Sequence, residues 1–66
     1  MNRRYRVKVK ATFPDGGWDS ETITVLARTA DAARMKAIDR FLQYAPHEEY
    51  KHATIEARSR YAPLRG

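Results

Sequence analysis

The chain has no cysteine, which excludes disulfides, thiolate chemistry and a cysteine-ligated zinc. Long apolar runs are missing as well. The longest β-like one is Val25-Leu26-Ala27, far short of a membrane span. Glycine and proline occur three times each, and no repeat, low-complexity stretch or domain linker is visible. Acid is the scarcer sign of charge: 8 Asp and Glu stand against 13 Lys and Arg, for a net charge of +5. That balance favours anionic partners: nucleic acid, an acidic protein surface or a lipid headgroup. Met1-Asn2-Arg3-Arg4 is followed by alternating charges rather than an apolar signal core, so the expected compartment is the cytoplasm.

What is present is a short chain that alternates. Its 66 residues, 42% hydrophobic, suffice for one domain with a thin core. The clearest pattern is Arg4–Phe13. Tyr5, Val7, Val9, Ala11 and Phe13 share one parity, and Arg4, Arg6, Lys8, Lys10 and Thr12 share the other. Side chains alternate faces along a strand, so this segment reads as a half-buried strand with cations about 7 Å apart on its outer face.

Pro14-Asp15-Gly16-Gly17 is a turn signal, and a second strand is expected at about Glu21–Arg28. Its apolar parity is Ile23, Val25 and Ala27; Thr22, Thr24, Leu26 and Arg28 form the other. Trp18 falls in the hairpin loop by this reading, as a lid on one end of the core or as an exposed anchor. Thr29 can cap a helix over Ala30–Tyr44, with Asp31 at its positive end. Ala30, Ala33, Ala37, Ile38, Phe41 and Tyr44 gather on one side, with Phe41 and Leu42 filling the wider end; Lys36, Asp39, Arg40 and Gln43 gather on the other. Arg34 falls within the apolar arc, where it can snorkel or pair with Glu21 or a ligand. Pro46 ends the helix. Tyr44 and Tyr50 flank that proline at the expected edge of the core, and His47–Tyr50 reads as a polar loop.

A third strand is expected at Lys51–Tyr61, with Ala53, Ile55, Ala57, Ser59 and Tyr61 facing the core and His52, Thr54, Glu56, Arg58 and Arg60 facing out. Ala62–Gly66 reads as a frayed tail. Strand, strand, helix, strand with a right-handed crossover predicts an α+β domain: a three-stranded antiparallel sheet of order 2-1-3, one helix on one face and the other face open. The open face then gathers Arg4, Arg6, Lys8, Lys10, Arg28, Arg58 and Arg60 against Glu56 alone. Clustered charge of one sign costs stability, so these seven residues form the candidate partner-binding site. Tyr5, Phe13 and Tyr61 fall on the core parity. The open face therefore lacks stacking aromatics in this reading, which favours an acidic protein surface over direct binding of RNA or DNA.

Catalytic patterns are weak. His47 and His52 are five apart beside a proline, not at the helical spacing a zinc protease needs. Ser20 and Ser59 have no recognisable acid–base partners, and Gly16-Gly17 is too short to cradle a phosphate. A non-enzymatic protein without metal or cofactor is expected.

Two families share parts of this pattern. Val25-Leu26-Ala27-Arg28-Thr29-Ala30-Asp31-Ala32-Ala33 resembles the strand-to-helix junction of the small inhibitor of host RNA polymerase made by short-tailed coliphages. Arg58-Ser59-Arg60 and Ala62-Pro63 are similar to that family's last strand and tail. The resemblance implies a phage accessory protein that binds and inhibits a host complex, RNA polymerase or a defence complex, with Arg58 and Arg60 in contact. Tyr5–Phe13, Trp18 and Thr22–Ala27 resemble the archaeal large-subunit ribosomal protein of the L-X type. That likeness implies direct RNA binding.

Overall fold

The computed structural model of the protein describes residues 1–44 and 48–63. Pro46, His47 and the last residues of the expected tail, 64–66, lie outside them. Strands β1 (Arg3–Thr12) and β2 (Trp18–Ala27) precede a helix α1 (Ala30–Tyr44), a short 3₁₀ turn (Glu48–His52) and strand β3 (Thr54–Tyr61). The sheet is antiparallel throughout, in the order β2-β1-β3, with α1 across one face. The expected α+β architecture is the observed one.

The hairpin is built by its turn chemistry. Pro14 and Asp15 occupy the centre of a turn closed by Gly16 N–H donating to Phe13 O at 3.0 Å. Gly16 then takes φ +94°, a conformation that disfavours any residue with a Cβ. Phe13 N–H donates to Gly17 O at 2.8 Å, so the turn is the three-residue kind that ends in a glycine bulge. Its geometry sets the register, and Thr12 stands opposite Trp18. β2 thus begins earlier than expected and ends at Ala27. Trp18 belongs to the strand, and Arg28 lies one residue past it, in the bend that leads to the helix.

Thr29 caps α1 as its position suggests: its Oγ1 accepts from the Ala32 amide at 3.0 Å. Tyr5, Val7, Val9 and Ala11 of β1 meet Ile23, Val25 and Ala27 of β2 and Ala33, Ala37 and Phe41 of α1 in one buried cluster. Val7 and Val9, on the central strand, are wholly buried. Alanine at 33 and 37 lets the helix lie close to the sheet, and Phe41 is buried in the same cluster. Leu42 does not join it and is exposed. Arg34 pairs with Asp31 one turn back, not with Glu21. Lys36, Asp39, Arg40 and Gln43 line a groove along the free edge of β2, where Lys36 Nζ donates to Leu26 O at 2.6 Å.

The segment after the helix departs from the expected strand. Lys51 and His52 belong to the 3₁₀ turn, so His52 is not on the open sheet face. The turn brings Tyr50 back over the core. Its ring meets Phe13 at 5.1 Å and Phe41 at 5.7 Å, both edge-on, and its hydroxyl donates to Asp19 Oδ2 at 2.8 Å. Tyr50, not Trp18, closes this end of the core. At the other end Tyr61 lies opposite Tyr5 on the helix side, yet is 54% exposed. Ser59 ties β3 to the helix start through Oγ donating to Ala30 O at 2.8 Å.

Candidate anion-binding face

The open face follows from strand register. On β1 the exposed parity is Arg6, Lys8, Lys10 and Thr12; α1 covers the other parity. Directly opposed residues share a face, so β3 adds Arg60 beside Arg6, Arg58 beside Lys8, and Glu56 beside Lys10. On its other side β1 meets Thr24, Thr22, Ser20 and Trp18. The result is a block of five cations over β1 and β3, flanked by a hydroxyl-rich, uncharged strip on β2. Glu56 is the single acid on the three paired strands of this face. Lys8, Lys10, Arg58 and Glu56 line a shallow depression.

Two of the cross-strand pairs, Arg6–Arg60 and Lys8–Arg58, oppose like charges. Each such pair destabilises the sheet, by roughly 0.2–1 kcal/mol on the scale of cross-strand side-chain effects. Both are solvent-exposed, and long side chains splay apart in water, so the fold tolerates them. An anion placed between the two columns removes the repulsion and gains paired, charge-assisted hydrogen bonds from the arginines.

Of the seven residues predicted for this site, Arg6, Lys8, Lys10, Arg58 and Arg60 are brought together. Arg4 and Arg28 are not. Arg4 is half-buried and occupied by the backbone of the following tail: Nε donates to Ala62 O at 2.8 Å and Nη2 to Pro63 O at 3.4 Å. The same contacts, with Ala62 N–H donating to Arg4 O at 2.9 Å, hold Ala62 and Pro63 against β1, so the frayed tail does not begin at Ala62. Arg28 is exposed beyond the ladder.

Of the two readings open for Trp18, a lid on the core or an exposed anchor, the exposed position is the observed one, on β2 and not in the loop. Trp18 is 64% exposed and sits on the basic face, with Lys10 Nζ 5.1 Å from its ring centroid. The face therefore does carry an aromatic. The signal was present in the turn: counting outward from Asp15, Thr12 meets Trp18, and Thr12 already shared a parity with the lysines.

Among the described residues no cluster of three or more His, Asp or Glu is placed to hold a metal ion. No buried side-chain nitrogen or oxygen there lacks a hydrogen-bond partner. No helix among the described residues is long and apolar enough to cross a membrane. No protein-family profile, characterised protein or solved structure matches the chain.

Proposed function

We propose that the protein is a non-enzymatic accessory module that uses its basic sheet face to dock on an anionic surface of a nucleic-acid-handling complex and modulate it. The observation that carries this reading is the pair of opposed cations, Arg6 with Arg60 and Lys8 with Arg58. A fold with so thin a core keeps two repulsive rungs on one face, and an anionic partner turns that cost into binding energy. The likeness to phage inhibitors of host RNA polymerase points to an acidic protein surface in the cytoplasm, with Arg58 and Arg60 at the contact. The position of Trp18 favours a second form of the same reading, in which the face binds nucleic acid directly.

The face itself is tested by two substitutions of equal charge. Arg58→Glu lies on it; Arg40→Glu lies on the helix, beside the free edge of β2. Retention on immobilised polyglutamate and on immobilised DNA is measured in a salt gradient. On whichever matrix holds the wild type, Arg58→Glu is expected to elute well before Arg40→Glu. Equal shifts would assign the binding to bulk charge and remove the sheet face from it.

A further inference from the structure

We infer that the corner formed by Trp18 and Lys10 is a base-stacking subsite, and that the anionic partner of this face is single-stranded nucleic acid. The inference rests on the basic face being the binding surface, takes the second form of that reading, and adds to it the strandedness of the ligand and a stacking residue.

Three features of the corner fit that ligand. The first is placement. Trp18 stands on β2 opposite Thr12, one rung beyond Lys10 in the row that runs through Lys8 to Arg6. Successive members of that row are about 7 Å apart along the strand. A backbone following the cations from Arg6 and Arg60 past Lys8 and Arg58 to Lys10 arrives beside the indole. The second is presentation. Lys10 lies over the indole ring, while most of the residue's surface stays open to solvent. A cation on a ring holds its orientation and leaves area for a flat, apolar partner. The third is the surrounding chemistry. On the β2 side, Ser20, Thr22 and Thr24 neighbour the cations and carry no negative charge that would repel phosphate; the one acid of the face, Glu56, stands on the β3 side opposite Lys10.

An acidic protein surface would also use the cations and could take the indole as an anchor, but only a nucleic acid makes the affinity depend on free base faces. A duplex buries its base faces, so it offers nothing to stack. Single strands supply both a phosphate chain and free base faces, and binding of this kind is tolerant of sequence.

Fluorescence anisotropy of a short labelled oligothymidylate measures the binding. Its competitors are an abasic oligodeoxynucleotide of the same length, a duplex of the same length, and polyglutamate. The wild type is expected to prefer the oligothymidylate to the abasic chain, and the chain's single tryptophan is expected to be quenched on binding. Trp18→Ala should weaken oligothymidylate binding about fivefold to a hundredfold, the range set by one base–aromatic stack. Its affinity for the abasic chain should not change. Trp18→Phe should recover part of the loss. The logarithm of the affinity should fall with the logarithm of salt at a slope of about −3 to −4 if all five cations meet phosphates.

Equal affinity for the oligothymidylate and the abasic chain, with Trp18→Ala inert, would overturn the stacking subsite and leave the basic face standing. Preference for polyglutamate over every nucleic acid would overturn single-stranded nucleic acid as the ligand and favour an acidic protein. Absence of binding to any of these polyanions would remove both the subsite and the reading it rests on.

Discussion

Lys8 and Arg58 stand directly opposite each other across β1 and β3, on the face the helix leaves open. One rung on, Lys10 meets Glu56 and the charges are complementary. The same two strands therefore carry a repulsive rung and an attractive one side by side. Arg58→Glu makes the first resemble the second. It is expected to raise stability by about 0.5 kcal/mol in urea unfolding at low salt. The gain should vanish near 1 M salt, where charges are screened within about 3 Å. Stability and polyanion binding then move in opposite directions in one variant. A loss of stability at low salt would mean that the opposed cations do not repel.

Ala33 and Ala37 are wholly buried between helix and sheet. Ala37→Leu adds volume where none is free, and should cost about 1–3 kcal/mol in the same unfolding experiment. Met35→Ala, on the exposed side of the same helix, should stay within about 0.5 kcal/mol. Similar effects from the two substitutions would show that the helix does not approach the sheet through its alanines.

Tyr50 holds the far end of the core by its ring more than by its hydroxyl. Tyr50→Phe removes the bond to Asp19, which is exposed, and should cost less than about 1 kcal/mol. Tyr50→Ala also removes the edge-on contacts with Phe13 and Phe41. That loss should reach about 2–3 kcal/mol, below the cost of a fully buried aromatic because Tyr50 is only half-buried. Thermal unfolding of both variants separates the two contributions.

The fold was legible where a single physical signal dominated. Strict period two marks β1, the Thr29 hydroxyl marks the helix start, and the crossover rule sets the strand order. What escaped depended on contacts between distant segments. Nothing local to Lys51 and His52 distinguishes a 3₁₀ turn from a strand, because the turn exists to bring Tyr50 onto Phe13 and Phe41. The alternation of Ala53 with its neighbours extended the apparent strand backwards through them. Arg4 shares a parity with Lys8, but its side chain serves the backbone of Ala62 and Pro63, a relation between opposite ends of the chain. At the site, parity on β1 and β3 was enough to bring five cations together. Trp18 belongs to the strand and not to the loop because the turn closes at Phe13 and Gly17, which leaves the next residue paired with Thr12.

The order β2-β1-β3 also has a bearing on how the chain is made. β1 leaves the ribosome before β2 and β3 and is the central strand of the sheet, flanked by β2 on one side and β3 on the other. β2 follows within a turn and can pair at once. The second edge of β1 must wait for Thr54–Tyr61, after the whole helix has emerged. Through that interval Val7 and Val9 sit in a hairpin with one row of backbone amides and carbonyls unsatisfied. Such an edge invites pairing with a neighbouring nascent chain. The cations along Arg4–Lys10 alternate with those apolar residues, and two nascent hairpins brought edge to edge would oppose them. The charge gathered on the finished face would thus also repel unfinished copies of the chain.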